Sequence, residues 1–318
     1  NEIMFCKFCQ YEFFRQWKAL KAYAGSRGVR IIGDLPFYVA ADSVDVWANR
    51  ELLLLESDGT PRDVAGAPPD AFSTEGQKWG SPIYDWDRME EENYAWWQKR
   101  MHKSRELFDV VRLDHFIGIV RYYIVPTNAA NARNGRWCKG PGRKLTDVIA
   151  EALGDTKIIV EDVGPKTPIP GVRKLLARTG WPGIKILMFA WEDDTANEHL
   201  PHNYTDTNLV VYAGTHDNET IVGHFRDKTD YELAYLYEYL NIENKSQVPN
   251  ALIRELYHST AELAIVQMQD ILELGNEARM NYPSTVGHNW RWRMTSKPHR
   301  LDNEKIAWIR NIAVVYRR

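Results

Sequence analysis

Five short apolar runs recur along the chain, and four of them end in, or lead within a few residues to, a carboxylate. They are Val29-Arg30-Ile31-Ile32-Gly33-Asp34, Val110-Val111-Arg112-Leu113-Asp114, Lys157-Ile158-Ile159-Val160-Glu161, Lys185-Ile186-Leu187-Met188-Phe189 and Leu209-Val210-Val211-Tyr212-Ala213; the last continues through Gly214-Thr215 to His216-Asp217. Runs this short, β-branched and apolar on both faces suit buried parallel strands. Segments with helical periodicity at 13–24, 171–178 and 231–239 alternate with them. The pattern predicts repeated βα units and a parallel sheet or barrel. Acids at the C-terminal ends of successive parallel strands stand where barrel enzymes place their chemistry, because the βα loops converge there. One such acid is explained equally well as a helix N-cap. Four are harder to explain by capping alone.

The strand intervals are uneven. Eighty residues separate Asp34 from Asp114, far more than one βα unit needs. The excess is rich in turn residues (Gly59, Pro61, Gly66, Pro68-Pro69, Gly76, Gly80, Pro82) and carries Trp79, Tyr84 and Trp86. A long excursion with ordered aromatics predicts a lid or rim. The stretch 251–280 reads as a long helical segment, and the basic tail after Lys297 as a closing helix.

Charge and composition exclude several classes. Among 318 residues, 40 Lys and Arg oppose 43 Asp and Glu, leaving a net charge of −3 without the basic stripe of an electrostatic nucleic-acid binder. No apolar run approaches the ~18 residues of a membrane span, and Asn1-Glu2-Ile3 opens no secretory signal. The three cysteines, Cys6, Cys9 and Cys138, cannot build a disulfide framework, so a reducing, cytoplasmic compartment is expected. A start at Asn1 rather than Met suggests a fragment. The 12 Trp, 16 Tyr and 10 Phe suit the C–H faces of sugars as well as they suit a core.

Converging carboxylates leave two chemistries open. Asp34, Asp114, Glu161 and Asp217 could hold Mg²⁺ or Mn²⁺. Alternatively, a nucleophile and a protonated acid could act on a glycosidic bond. Arg112 shares a strand face with Asp114 and would hold it ionised, which helps a nucleophile and opposes a divalent cation. That favours sugar. Cys6-x-x-Cys9 has zinc spacing but no second ligand pair.

Several motifs together resemble the 4-alpha-glucanotransferases, the amylomaltase or disproportionating-enzyme family of the glycoside hydrolases. They are Ile32-Gly33-Asp34-Leu35-Pro36, Pro68-Pro69-Asp70-Ala71-Phe72-Ser73, Gln77-Lys78-Trp79-Gly80-Ser81-Pro82, Arg112-Leu113-Asp114-His115-Phe116, Val160-Glu161-Asp162-Val163-Gly164, Gly214-Thr215-His216-Asp217-Asn218 and Arg279-Met280-Asn281-Tyr282-Pro283. The resemblance implies a (β/α)8 TIM barrel of the alpha-amylase type, incomplete at the N-terminus because two earlier strands are missing. It implies one partial catalytic domain over 1–318, with a loop-rich subdomain or lid inserted at 48–105 and a helical insertion at 225–270. It makes Asp114 the nucleophile, Glu161 the general acid/base and Asp217 the acid that stabilises the transition state. Asp34, Arg112, Asp193 and His216 become subsite residues, Asp70, Ser73 and Trp79 the substrate-covering loop, and Asn281 the loop opposite. No cofactor or metal is implied. The partners are an alpha-1,4-glucan donor and a glucose or maltooligosaccharide acceptor. An alpha-amylase-like hydrolase, an inert glucan-binding fragment and a metal-dependent hydrolase stand as alternatives.

Overall fold

The apolar runs fold as strands of three or four residues within a set of ten. These are β1 (Ile32–Leu35), β2 (Asp63–Ala67), β3 (Gln77–Pro82), β4 (Val110–Leu113), β5 (Arg121–Pro126), β6 (Arg136–Lys139), β7 (Lys157–Val160), β8 (Gly183–Ile186), β9 (Leu209–Tyr212) and β10 (Leu263–Ile265). The computed structural model describes residues 1–69, 73–164, 171–191, 195–283, 285–295 and 302–318. Two compact units divide the chain at Pro182–Gly183.

In the first unit, β1, β4 and β7 form a parallel sheet in that order. The helices Ala95–Leu107 and Arg143–Leu153 flank it in sequence, and their apolar stripes (Trp97 and Met101; Leu145 and Ile149) join Val111, Leu113 and Val160 in one buried cluster. Each such side chain contributes roughly 1.5–3 kcal/mol on burial. Gly33 has a steric reason: a Cβ there would sit 2.0 Å from the Phe108 ring, so only glycine lets that ring close over β1.

The turn-rich excursion contains paired strands. β2 and β3 pair antiparallel, and β2 also pairs with β5, which carries β6, giving the order β3-β2-β5-β6. Alternation along β2 and β5 sends Val64, Tyr123 and Val125 to one buried cluster and Ala65, Tyr122 and Ile124 to another. The helix Glu2–Ser26 is tied down near its C-terminal end, where Trp17 Nε1 donates to the Leu107 carbonyl at 2.9 Å and Lys21 Nζ to that of Phe108 at 3.0 Å. It buries no residue, and Ile3, Phe5, Phe8 and Tyr11 are exposed.

The second unit holds a parallel sheet in the order β10-β9-β8. Two sequence expectations change here. The run 185–189 is a strand only to Ile186; Leu187–Phe189 closes into a 3-10 turn where pairing with Tyr212 ends. The segment 251–280 is not one helix. The helix Val248–His258 stops at Ser259, whose φ −56° and ψ 160° leave the helical region. Leu263-Ala264-Ile265 then pairs with Val210-Val211-Tyr212, so strand pairing overrides the local helical preference. The closing helix occupies Asn303–Val315. No helix among the described residues is long and apolar enough to cross a membrane.

Candidate active site

Register brings the strand ends of the first unit to one level. Asp34 on β1 is opposite Arg112 on β4, and Leu35, Leu113 and Val160 form the next rung. Asp114 and Glu161 therefore both lie one residue beyond that rung. Main-chain bonds prolong the ladder past the strands: Asp114 N–H donates to the Leu35 carbonyl at 3.1 Å, Glu161 N–H to that of Leu113 at 2.9 Å, and Phe116 N–H to that of Glu161 at 2.8 Å. These bonds fix the main chain that carries both carboxyls.

Arg112 and Asp114, two apart on one strand, share a face. Arg112 is 5% exposed, and its Nη1 donates to Asp34 Oδ1 at 2.6 Å and to Asp114 Oδ1 at 2.9 Å. Burial alone would lower its pKa, but Asp114, Asp34 and Glu161 together raise it, so the guanidinium stays charged. Glu161 is treated in the opposite way. Burial and then the Asp114 charge push its carboxyl up to about 8, against the opposing effect of Arg112. Its Oε2 accepts from the His115 N–H and its Oε1 from the Val163 N–H, both at 2.9 Å.

Trp79 on β3 sets its ring edge-to-face on His115, centroids 4.9 Å apart at 90°. Ser73 lies in the turn before β3 and donates through Oγ to the Gly76 carbonyl at 2.7 Å. Asp70, expected beside it, and Asp193 lie outside the described residues.

In the second unit, β9 leads into a tight turn. Asn218 Oδ1 accepts from the Thr215 N–H at 2.8 Å and from its hydroxyl at 3.0 Å, which presents His216 and Asp217 on the bend. His216 Nε2 is 3.4 Å from Asp217 Oδ2, and its ring packs on Trp290 with centroids 5.0 Å apart. Asn281, expected to face substrate, directs its Nδ2 to Asp217 Oδ1 at 2.6 Å. Arg279 clamps the same turn, donating to the Asp217 carbonyl at 2.6 Å and the Asn281 carbonyl at 2.9 Å. Its guanidinium lies 4.3 Å above the Tyr282 ring. His115 and Arg279 are functional candidates that residue type alone does not single out. Each stands within a motif noted above, and only the geometry separates it from its neighbours.

Among the described residues no group of three or more His, Cys, Asp or Glu is placed to hold a metal ion. One carboxyl favoured in its protonated form, beside a second bonded to arginine at the ends of parallel strands, is an arrangement suited to acid/base chemistry in an α/β enzyme.

The comparisons are more specific. The sequence model of the glycoside hydrolase 77 family, 4-alpha-glucanotransferase, matches residues 1–298, and the chain belongs to that family. A 4-alpha-glucanotransferase of Thermus thermophilus is 45% identical over 319 residues, covering 98% of this chain and 63% of the relative. An amylomaltase of Streptococcus agalactiae, solved in complex with acarbose, superposes with a TM-score of 0.90 at 41% identity, over 97% of this chain and 62% of that one. The amylomaltase of Corynebacterium glutamicum shares the fold at 20% identity and a TM-score of 0.75. These neighbours imply the (β/α)8 fold class of the alpha-amylase type. The chain thus spans less than two thirds of the length of the relatives it matches.

Proposed function

We propose that this chain carries the catalytic acids of a retaining 4-alpha-glucanotransferase, which moves alpha-1,4-glucan segments between maltooligosaccharides or starch and glycogen chains. The observation that carries this reading is the contrast between two neighbouring carboxyls. Glu161 favours its proton up to about 8, whereas Asp114 accepts a charge-assisted bond from Arg112. In this mechanism Glu161 protonates the leaving glycosidic oxygen while Asp114 attacks the anomeric carbon, giving a covalent glucosyl–enzyme. Glu161, now a base, takes the proton of an incoming sugar 4-hydroxyl, which displaces Asp114 and receives the glucan. Asp217, held by Asn281 and Arg279, grips sugar hydroxyls in the transition state.

Asp34, Arg112, His216, Asp70, Asp193 and Ser73 serve as subsite or covering-loop residues. Trp79 covers the substrate and helps an acceptor sugar outcompete water by exclusion. We infer that β1, β4 and β7 of the first unit and β8, β9 and β10 of the second are parallel strands of the (β/α)8 class.

The test is incubation with maltotriose, with products resolved by length. A ladder of longer maltooligosaccharides plus glucose, abolished by Asp114→Asn, supports the transferase. Glucose and maltose with nothing longer would make it an alpha-amylase-like hydrolase. Silence from both this chain and a version extended with the N-terminal third of the Thermus thermophilus relative would refute the reading.

A further inference from the structure

Two main-chain N–H groups hold the Glu161 carboxyl, and they differ in kind. Val163 is two residues away, so its bond belongs to a local turn. His115 is 46 residues away and follows a different strand. Its backbone adopts φ +48°, the left-handed region that side-chain-bearing residues enter uncommonly.

The ring explains why it stays there. Trp79 packs edge-to-face with it at 4.9 Å, with Tyr38 at 6.0 Å and Phe37 at 6.1 Å. A Cβ on Gly118 would stand 2.9 Å from His115 Cδ2 and 2.8 Å from Phe37 Cε1, so only glycine leaves room for the imidazole. Burial pushes the ring's pKa down to about 4, which keeps it neutral near neutral pH. Its Nε2 is buried, with no hydrogen-bond partner among the described residues, so packing is what holds the ring there.

We propose that His115 is a positioning residue for the acid/base: its imidazole, packed tightly against Trp79, Phe37 and Gly118, locks the left-handed backbone that aims the His115 N–H at Glu161 Oε2. The sheet that bears Trp79 is thereby tied to the orientation of the acid carboxyl. This inference rests on the reading of Glu161 as the acid/base. The charged groups around that carboxyl are Asp114 and Asp162, which favour its proton, and Arg112, which opposes it; the His115 N–H also opposes it.

The test is a ¹³C NMR titration of the chain labelled at its glutamate carboxyls, with the Glu161 signal assigned by its loss in Glu161→Gln. Asparagine tolerates left-handed backbone and alanine does not. His115→Ala is expected to raise the Glu161 midpoint by about one unit, tenfold in proton affinity, because the charged form loses a donor. His115→Asn, which lacks the ring but tolerates the left-handed region, is expected to shift by less than alanine. If His115→Ala does not fold, as judged by circular dichroism, His115→Gly replaces it; lacking the ring, it is expected to shift upward as well. An unmoved midpoint, or an asparagine variant shifted as far as the alanine one, overturns the proposal. A shift, with maltotriose left untouched by both this chain and the extended version, sinks the transferase reading and leaves the positioning role standing. Turnover with an unmoved midpoint does the reverse.

Discussion

Replacing Glu161 by glutamine tests the acid assignment through stability alone. The carboxyl is held near 8 in the folded chain against an ordinary 4.5. Because its folded pKa is raised, its stabilising contribution is complete below about pH 4.5 and is lost as pH rises through about 8. The span is about 3.5 units, and at 1.36 kcal/mol per unit the loss reaches at most about 5 kcal/mol. Glutamine never ionises and escapes that loss. It carries its own penalty, since both Glu161 oxygens accept main-chain N–H bonds and an amide nitrogen must replace one of them. An unmet donor of this kind costs about 1–3 kcal/mol, independent of pH. The variant should therefore be less stable than wild type by about 2 kcal/mol below pH 4.5, equal to it near about pH 6, and more stable by about 3 kcal/mol above pH 8.

The assay is native-state hydrogen exchange of the amides in β4 and β7, read at several pH values after correction for intrinsic rates. A local readout is needed because two compact units need not unfold together. The diagnostic quantity is the slope, a gain for the variant of about 1.4 kcal/mol per pH unit between the two limits. A constant difference between variant and wild type would mean that Glu161 titrates alike in the folded and unfolded chain, and the acid assignment would fall with it.

Other perturbations bear on neighbouring groups. Asp114→Asn should lower the Glu161 midpoint by about two units, since a unit charge some 5 Å away at an effective dielectric of about 20 is worth about 3 kcal/mol; an unmoved NMR titration would separate the two carboxyls. Arg112→Met leaves Asp34 and Asp114 without their shared donor. Both carboxylates are 37% exposed, so the cost is discounted for solvent to about 2 kcal/mol, and thermal unfolding that matches wild type would contradict it. Gly118→Ala should cost about 1–3 kcal/mol by overpacking against Phe37 and His115, measured by the same exchange experiment. Arg279→Ala should lower kcat on maltotriose about 10–100-fold with little change in KM, because its bonds hold the Asp217 turn; a change confined to KM would show that it only aids binding.

The legible part of the fold was the part that residue type controls. Buried parallel strands are apolar on both faces, so β1, β4, β7 and β9 stand out in the sequence, and the acids just beyond them follow by position. β10 is not legible, because Leu263-Ala264-Ile265 becomes a strand only by pairing with β9. The same is true of β5, whose pairing with β2 joins the excursion to residues some sixty positions further along, and of β6, which pairs with β5. In the site, Arg112 beside Asp114 is visible as an i, i+2 pair. The Asn281–Asp217 bond spans 64 residues, and the His115–Glu161 bond uses a main-chain donor. Neither leaves a mark in composition or periodicity.

One strand exit accounts for the differing treatment of the two acids. Arg112 lies on β4 opposite Asp34, and its Nη1 bonds to Asp34 and Asp114 but has no bond to Glu161. Among the described residues, Glu161, one residue past β7, receives only neutral N–H donors on its two oxygens while facing the Asp114 charge. A guanidinium bonded to Glu161 as well would stabilise its charged form and remove the proton that, in the proposed mechanism, the leaving sugar oxygen receives. The fold therefore holds Glu161 in an environment that destabilises its carboxylate, and the stability lost above pH 8 is the thermodynamic counterpart of its acidity. A variant that gained that stability while keeping full transfer activity would break this link. Glu161→Gln is expected to gain the stability and lose the activity together.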